Sequence, residues 1–158
     1  MDVTEILEIW KEVRYRYRQI LTRDEAIKLV QSSQKHFLIK LREQIAPQAR
    51  DITPTDLNKD INAGKYIVLL DVRDNNKRAI AGVLSNKEVH IPLESIENQA
   101  YSKIKDRHAR VVVYCGKGIR GVSAANTLKK MGYSNVSNLK GGMQAWKEAG
   151  LNTVTPKW

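Results

Sequence analysis

The sequence predicts an α/β domain built on a parallel sheet and preceded by a helical hairpin, and three observations lead there. Two short runs, YIVLLDV at 66–72 and RVVVY at 110–114, are almost wholly apolar and rich in β-branched residues. Strands buried on both faces of a parallel sheet read this way, whereas a strand with one wet face alternates. The second run leads into a glycine-punctuated loop and then into apolar residues at helical spacing, which is a strand–loop–helix order. The first 46 residues instead carry apolar positions three and four apart, the period of a helix.

Taken in order, Asp2 with Glu5 forms a capping pair, and Ile6, Trp10, Val13, Tyr17 and Ile20 fall on one stripe. Thr22 and Glu25 form a second capping box. Ile27, Val30, Gln34, Phe37 and Leu41 follow as a second, mostly apolar stripe that ends before Pro47. Two helices of this length need a surface for their apolar faces. That surface is each other together with the remaining chain, a second copy met through the near-heptad stripe to give a homodimer, or an anionic surface met by Arg14, Arg16 and Arg18 interleaved with Tyr15 and Tyr17. Residues 1–50 are therefore read as a helical extension and 51–158 as the catalytic domain, joined through IAPQARDITP at 45–54.

Thr53 is placed to cap a helix that has Pro54 at its first position, with Leu57 and Ile61 facing inward and Asn62, Ala63 and Gly64 ending it. The strand at 66–72 follows and closes on Asp71 and Arg73, which are read as bracing neighbouring backbone. After the strand at 110–114 and its loop, Val122, Ala125, Leu128 and Met131 outline a helix stopped by Gly132. Gly141 and Gly142 open a last turn before a helix over Met143–Ala149 that carries Trp146.

The chemistry is read in the loop CGKGIRG. Cys115, the chain's one cysteine, caps the strand and precedes a helix start, where unpaired N–H groups and the positive end of the dipole favour a thiolate. Lys117 and Arg120 add cationic charge within six residues. Gly116, Gly118 and Gly121 let successive amides turn inward as an anion-binding concavity. The competing view is a small apolar side chain buried for packing, but packing requires neither the glycines nor the cations.

Several stretches together resemble the rhodanese domain family: ITPTDLNKDINAGKYIVLLDVRD, HIPL at 90–93, CGKGIRG and NLKGGMQAWKEAGLNTVTP, in that order and at the family's spacing. The resemblance covers about two thirds of the chain, from about Ile52 to Pro156. It implies a doubly wound parallel sheet with flanking helices, and a single-domain sulfurtransferase in which Cys115 takes a sulfane sulfur from thiosulfate or a persulfide donor and passes it to a thiophilic acceptor. Gly116, Lys117, Gly118, Ile119, Arg120 and Gly121 are then the substrate-binding loop, with no cofactor and no metal. The acceptor is a thiol or a sulfur-carrier protein. The chain departs from the family between Gly82 and His90, where the turn is rebuilt around Lys87 and Glu88, and at Met143, where the family usually has an aromatic. His90 is read as scaffold, because a preformed thiolate needs no general base.

Two other functions stay open on the residues alone. Cysteine-dependent phosphatases and arsenate reductases separate cysteine and arginine by one residue more than the four between Cys115 and Arg120, and usually place a histidine where Tyr114 stands. A non-catalytic binding or regulatory module of the same fold is the other. His36 and His108 have no partner at ligand spacing for a metal.

Composition narrows the setting. The 158 residues are 42% hydrophobic, enough for one core and an appendage. A lone cysteine forbids an internal disulfide and suits a reducing compartment. MDVTEILEIW does not read as an export signal, and no apolar stretch approaches about 18 residues, so the expectation is a cytoplasmic protein without a membrane span. The net charge of +10 divides as ten basic against seven acidic residues in 1–50 and seventeen against ten in 51–158. Such a balance suits small anions and acidic partners. With no nucleic-acid motif present, nucleic acid is not expected as a partner.

Overall fold

The structure is a computed structural model that describes residues 49–157. The expected N-terminal hairpin, and the homodimer contact assigned to it, lie outside the described residues, as does Trp158. In chain order the elements are β1 (Arg50–Ile52), α1 (Pro54–Asn62), β2 (Val68–Asp71), α2 (Asn75–Ala81), β3 (Val89–His90), a 3₁₀ turn (Leu93–Ser95), α3 (Ile96–Lys103), β4 (Val111–Tyr114), α4 (Ile119–Lys130), β5 (Val136–Leu139) and α5 (Gly142–Glu148).

The five strands form one sheet in the order β1-β5-β4-β2-β3, and every ladder is parallel. The long central strands are the two apolar runs: β2 and β4 pair in register from Val68 on Val111 to Asp71 on Tyr114. Side chains alternate across a strand, so Val111, Val113 and Cys115 enter one core with Leu70, Ile96, Ala125 and Leu128. Val112 and Tyr114 enter a second core on the opposite face with Leu57, Leu69, Met143 and Trp146. Helices therefore cover both faces, and the doubly wound parallel architecture is what the structure shows.

Local signals account for the element ends. The Thr53 hydroxyl accepts from the Asp56 amide at 3.2 Å, and Pro54 occupies the first turn of α1. Asp74 caps α2 in the same way through the Lys77 amide at 2.9 Å. Three details differ from the sequence reading. Residues 50–52, read as connecting chain, form an edge strand on β5. Helix α4 begins at Ile119, and its inward face is Gly121, Ala124, Ala125 and Leu128, with Val122 left exposed. The tail LNTVTPKW, which resembles the family's short closing strand, makes a single antiparallel bridge from Val154 to Val83.

Strand β2 leads outward to the β3 edge while β4 lies on its other side, so the connections diverge at the carboxyl ends of β2 and β4. Crevices at such a point are where open α/β sheets hold ligands. Asp71, Arg73 and Cys115 all stand there.

Candidate active site

Cys115 follows directly on β4, and its sulfur is met by backbone donors. The amides of Gly118 and Gly121 each point at Sγ, at 3.1 Å. This geometry depends on glycine at both positions. Gly118 has φ +90°, and a Cβ there would lie 2.7 Å from the Gly141 nitrogen. At Gly121 a Cβ would collide with Asn138 Oδ1. The loop is also tied from behind: the Cys115 carbonyl accepts from the Met143 amide at 2.8 Å and the Gly116 carbonyl from Gln144 at 2.9 Å, both in the first turn of α5.

Of the loop residues singled out in the sequence, Gly118 and Gly121 face the sulfur. Gly116 is half-buried, whereas Lys117, Ile119 and Arg120 are exposed. Cys115 itself is 3% exposed. Among the described residues no group of His, Cys, Asp and Glu is placed to hold a metal ion.

Behind the loop lies a buried ionic cluster. Asp71 is fully buried; one carboxylate oxygen accepts from the Arg73 amide at 3.0 Å and from Arg73 Nε at 2.9 Å, and the other from Arg73 Nη2 at 2.9 Å and Arg78 Nε at 3.0 Å. Arg73 also donates to the Gly82 carbonyl at 2.7 Å and lies 5.1 Å from the centre of the Tyr114 ring. Arg78 reaches Glu88 at 3.3 Å, and the Tyr114 hydroxyl donates to the other Glu88 oxygen at 2.6 Å. His90 Nε2 sits 2.6 Å from the Arg73 carbonyl, a scaffold contact as read from the sequence.

The electrostatics of the cluster follow from its burial. Burial opposes the Arg73 charge, yet the hydrogen bonds and charge of Asp71 outweigh it and hold the guanidinium above its usual range. Burial pushes the Glu88 carboxyl up to about 7, helped by the negative charge of Asp71 and resisted by the Tyr114 hydroxyl and by Arg78. Burial, then the charges of Asp71 and Glu88, raise Tyr114 as well, which keeps it a neutral donor. The residue before the cysteine is thus anchored to the rebuilt segment 82–92: the Tyr114 hydroxyl also accepts from the Leu84 amide at 3.3 Å.

Arg78, Glu88 and Asn138 belong to this site, and sequence reasoning did not single them out for it. Asn138 is 2% exposed; its Nδ2 donates to Asp51 Oδ1 at 3.0 Å and to the Gly118 carbonyl at 3.2 Å, while its Oδ1 has no hydrogen-bond partner among the described residues. The available signal was an asparagine two residues after Val136 in VSNL, on the same face of the strand.

The similarity of the chain to known proteins spans this site. The sequence profile of the rhodanese-like domain matches residues 53–149. A sulfurtransferase of Allochromatium vinosum is 31% identical over 107 residues, 68% of this chain and 96% of that protein. The thiosulfate sulfurtransferase GlpE of Coxiella burnetii is 36% identical over 85 residues, 51% of this chain and 72% of that protein. Among solved structures, a rhodanese-related protein of Thermoplasma volcanium superimposes with a TM-score of 0.58 at 30% identity, over 67% of this chain and 98% of that one.

Proposed function

The chain belongs to the rhodanese-like domain family, and from that premise we propose that it is a sulfurtransferase that moves a sulfane sulfur from thiosulfate or a persulfide to a thiophilic acceptor through a persulfide on Cys115. One observation carries this reading: two backbone amides converge on Sγ at 3.1 Å. Donors fixed in that way stabilise negative charge on the sulfur without any reorganisation during the reaction.

With thiosulfate, the Cys115 thiolate attacks the outer sulfur; the new S–S bond forms as the donor's S–S bond breaks, and the electron pair leaves with sulfite. The amides of Gly118 and Gly121 face the sulfur throughout. Lys117 and Arg120, both on the exposed side of the loop, are assigned to the oxyanion of donor and leaving group, with Gly116 and Ile119 completing the loop wall. Asp71 acts through Arg73, as structural support.

Mass spectrometry of the intact protein after thiosulfate treatment tests this. The expected result is a gain of one sulfur atom, absent in Cys115→Ser and removed by cyanide. No adduct, together with hydrolysis of an aryl phosphate, replaces this reading with a phosphatase. Failure of both reactions leaves a binding module.

A further inference from the structure

Resting on the sulfur-transfer reading above, we propose that the groove beside the cysteine loop is a docking surface for an acidic protein that exchanges sulfur with Cys115 through a thiol on an apolar-flanked segment. The groove has a volume of about 400 Å³ and reaches the loop at Gly116 and Lys117. At roughly 30 Å³ for each water-sized unit of matter, a small inorganic anion fills less than half of it.

The lining is of two kinds. Ile80 and Ala81 of α2 and Met143 of α5 supply apolar wall, and Lys77, Lys117 and Lys147 supply three exposed ammonium groups. No ion pair engages any of the three among the described residues. None of the lining residues is a carboxylate. The acids closest in sequence are Asp74, which caps α2, and Glu148, which accepts from the lining residue Gln144 at 3.1 Å.

Exposed apolar side chains decide between a small ligand and a protein. Ile80 is 87% exposed, and Ile119, two residues beyond Lys117, is 78% exposed. A small-molecule pocket encloses its apolar lining, whereas protruding aliphatic side chains beside a charged rim suit the surface of another protein. The basic excess of residues 51–158, seventeen against ten, sets the sign of that protein's charge.

The exchange balances without an oxidant. The partner's thiolate attacks the outer sulfur of the Cys115 persulfide, an S–S bond forms on the partner as the one to Cys115 breaks, and the electron pair returns to Cys115 as thiolate.

The full-length protein, loaded from thiosulfate, is offered two synthetic peptides that each carry one cysteine flanked by leucines, one rich in glutamate and the other in lysine. The expected result is that the acidic peptide takes sulfur about tenfold faster at low ionic strength, an advantage that shrinks with salt. The double variant Lys77→Glu/Lys147→Glu abolishes the preference, and Ile80→Asp slows delivery to the acidic peptide about fivefold or more. Transfer to cyanide stays within about twofold of the parent in all of these, since cyanide is too small to need the apolar wall. Equal rates for the two peptides, or a preference untouched by the double variant, overturn the inference while leaving the sulfurtransferase in place. A protein that gains no sulfur from thiosulfate or from an organic persulfide overturns both.

Discussion

At the scale of single residues, the peptide of Gly118 is held at both ends: its N–H faces Sγ and its carbonyl accepts from Asn138. Asn138→Ala removes the side-chain donor to that carbonyl and leaves a buried acceptor unpaired, which costs about 1–3 kcal/mol. Denaturant titration should register that loss, and sulfur loading followed by mass spectrometry should slow several-fold. An unchanged loading rate would mean that Asn138 does not position the amide. Gly118→Ala is harsher, because φ +90° and the 2.7 Å approach to Gly141 both refuse a Cβ. We expect about 1–3 kcal/mol of lost stability from the strained backbone, with loading reduced further than in the Asn138 variant. The cysteine loop was legible in the sequence because its parts are contiguous: strand end, thiol, glycines and cations fall within eight residues, Tyr114 to Gly121. Asn138 and Glu88 were not, since each joins the loop from a distant position and only the folded sheet brings them together.

At the scale of elements, α2, β3 and the chain between them are tied to the sheet by buried charged groups as well as by apolar side chains such as Val83. Arg78 is the buried residue of α2, and Glu88, at the foot of β3, takes both its guanidinium and the Tyr114 hydroxyl. Glu88 is held near 7 in the folded protein against an ordinary 4.5. The folded state therefore binds this proton more tightly than the unfolded chain. The resulting stability is fully present below about pH 4.5 and is lost as pH rises through about 7. Chemical denaturation between those limits should show stability falling with pH by an amount on the order of 1–3 kcal/mol from this group. Glu88→Gln should flatten that slope; a slope equal to the parent's would remove Glu88 as its source.

The same elements explain what the sequence withheld. The runs at β2 and β4 were visible because four residues each, three buried in β2 and all four in β4 and mostly β-branched or aliphatic, leave a compositional mark. Strands of two and three residues, β3 and β1, are too short to show a period, and a helix whose buried residue is an arginine shows no apolar stripe. The start of α4 was misjudged for a related reason: its first turn buries Gly121 rather than a large side chain, so the pattern becomes apolar later than the helix begins.

At the scale of the molecule, the sign of the charge and the position of the site act together. On the sulfur-transfer reading proposed above, a net charge of +10 raises the rate of encounter with anionic donors. The second-order rate of sulfur loading from thiosulfate should fall several-fold as the Debye length shrinks from about 30 Å to about 8 Å between low and physiological ionic strength. Loading from an uncharged organic trisulfide should change little over the same range. A rate for thiosulfate that ignores salt would show that the field does not reach the loop opening. The overall architecture was readable before any coordinates, because an all-apolar strand is found almost only where helices cover both sides of a parallel sheet. The order of the strands was not, since order depends on which side of β2 the chain returns to.

The sheet's two margins have a consequence of their own. One border is a three-residue strand and the other a two-residue strand, so few unpaired backbone groups are left to template the addition of a foreign chain. The described domain thereby offers little foothold for fibril growth or stacking along the flanks of its sheet.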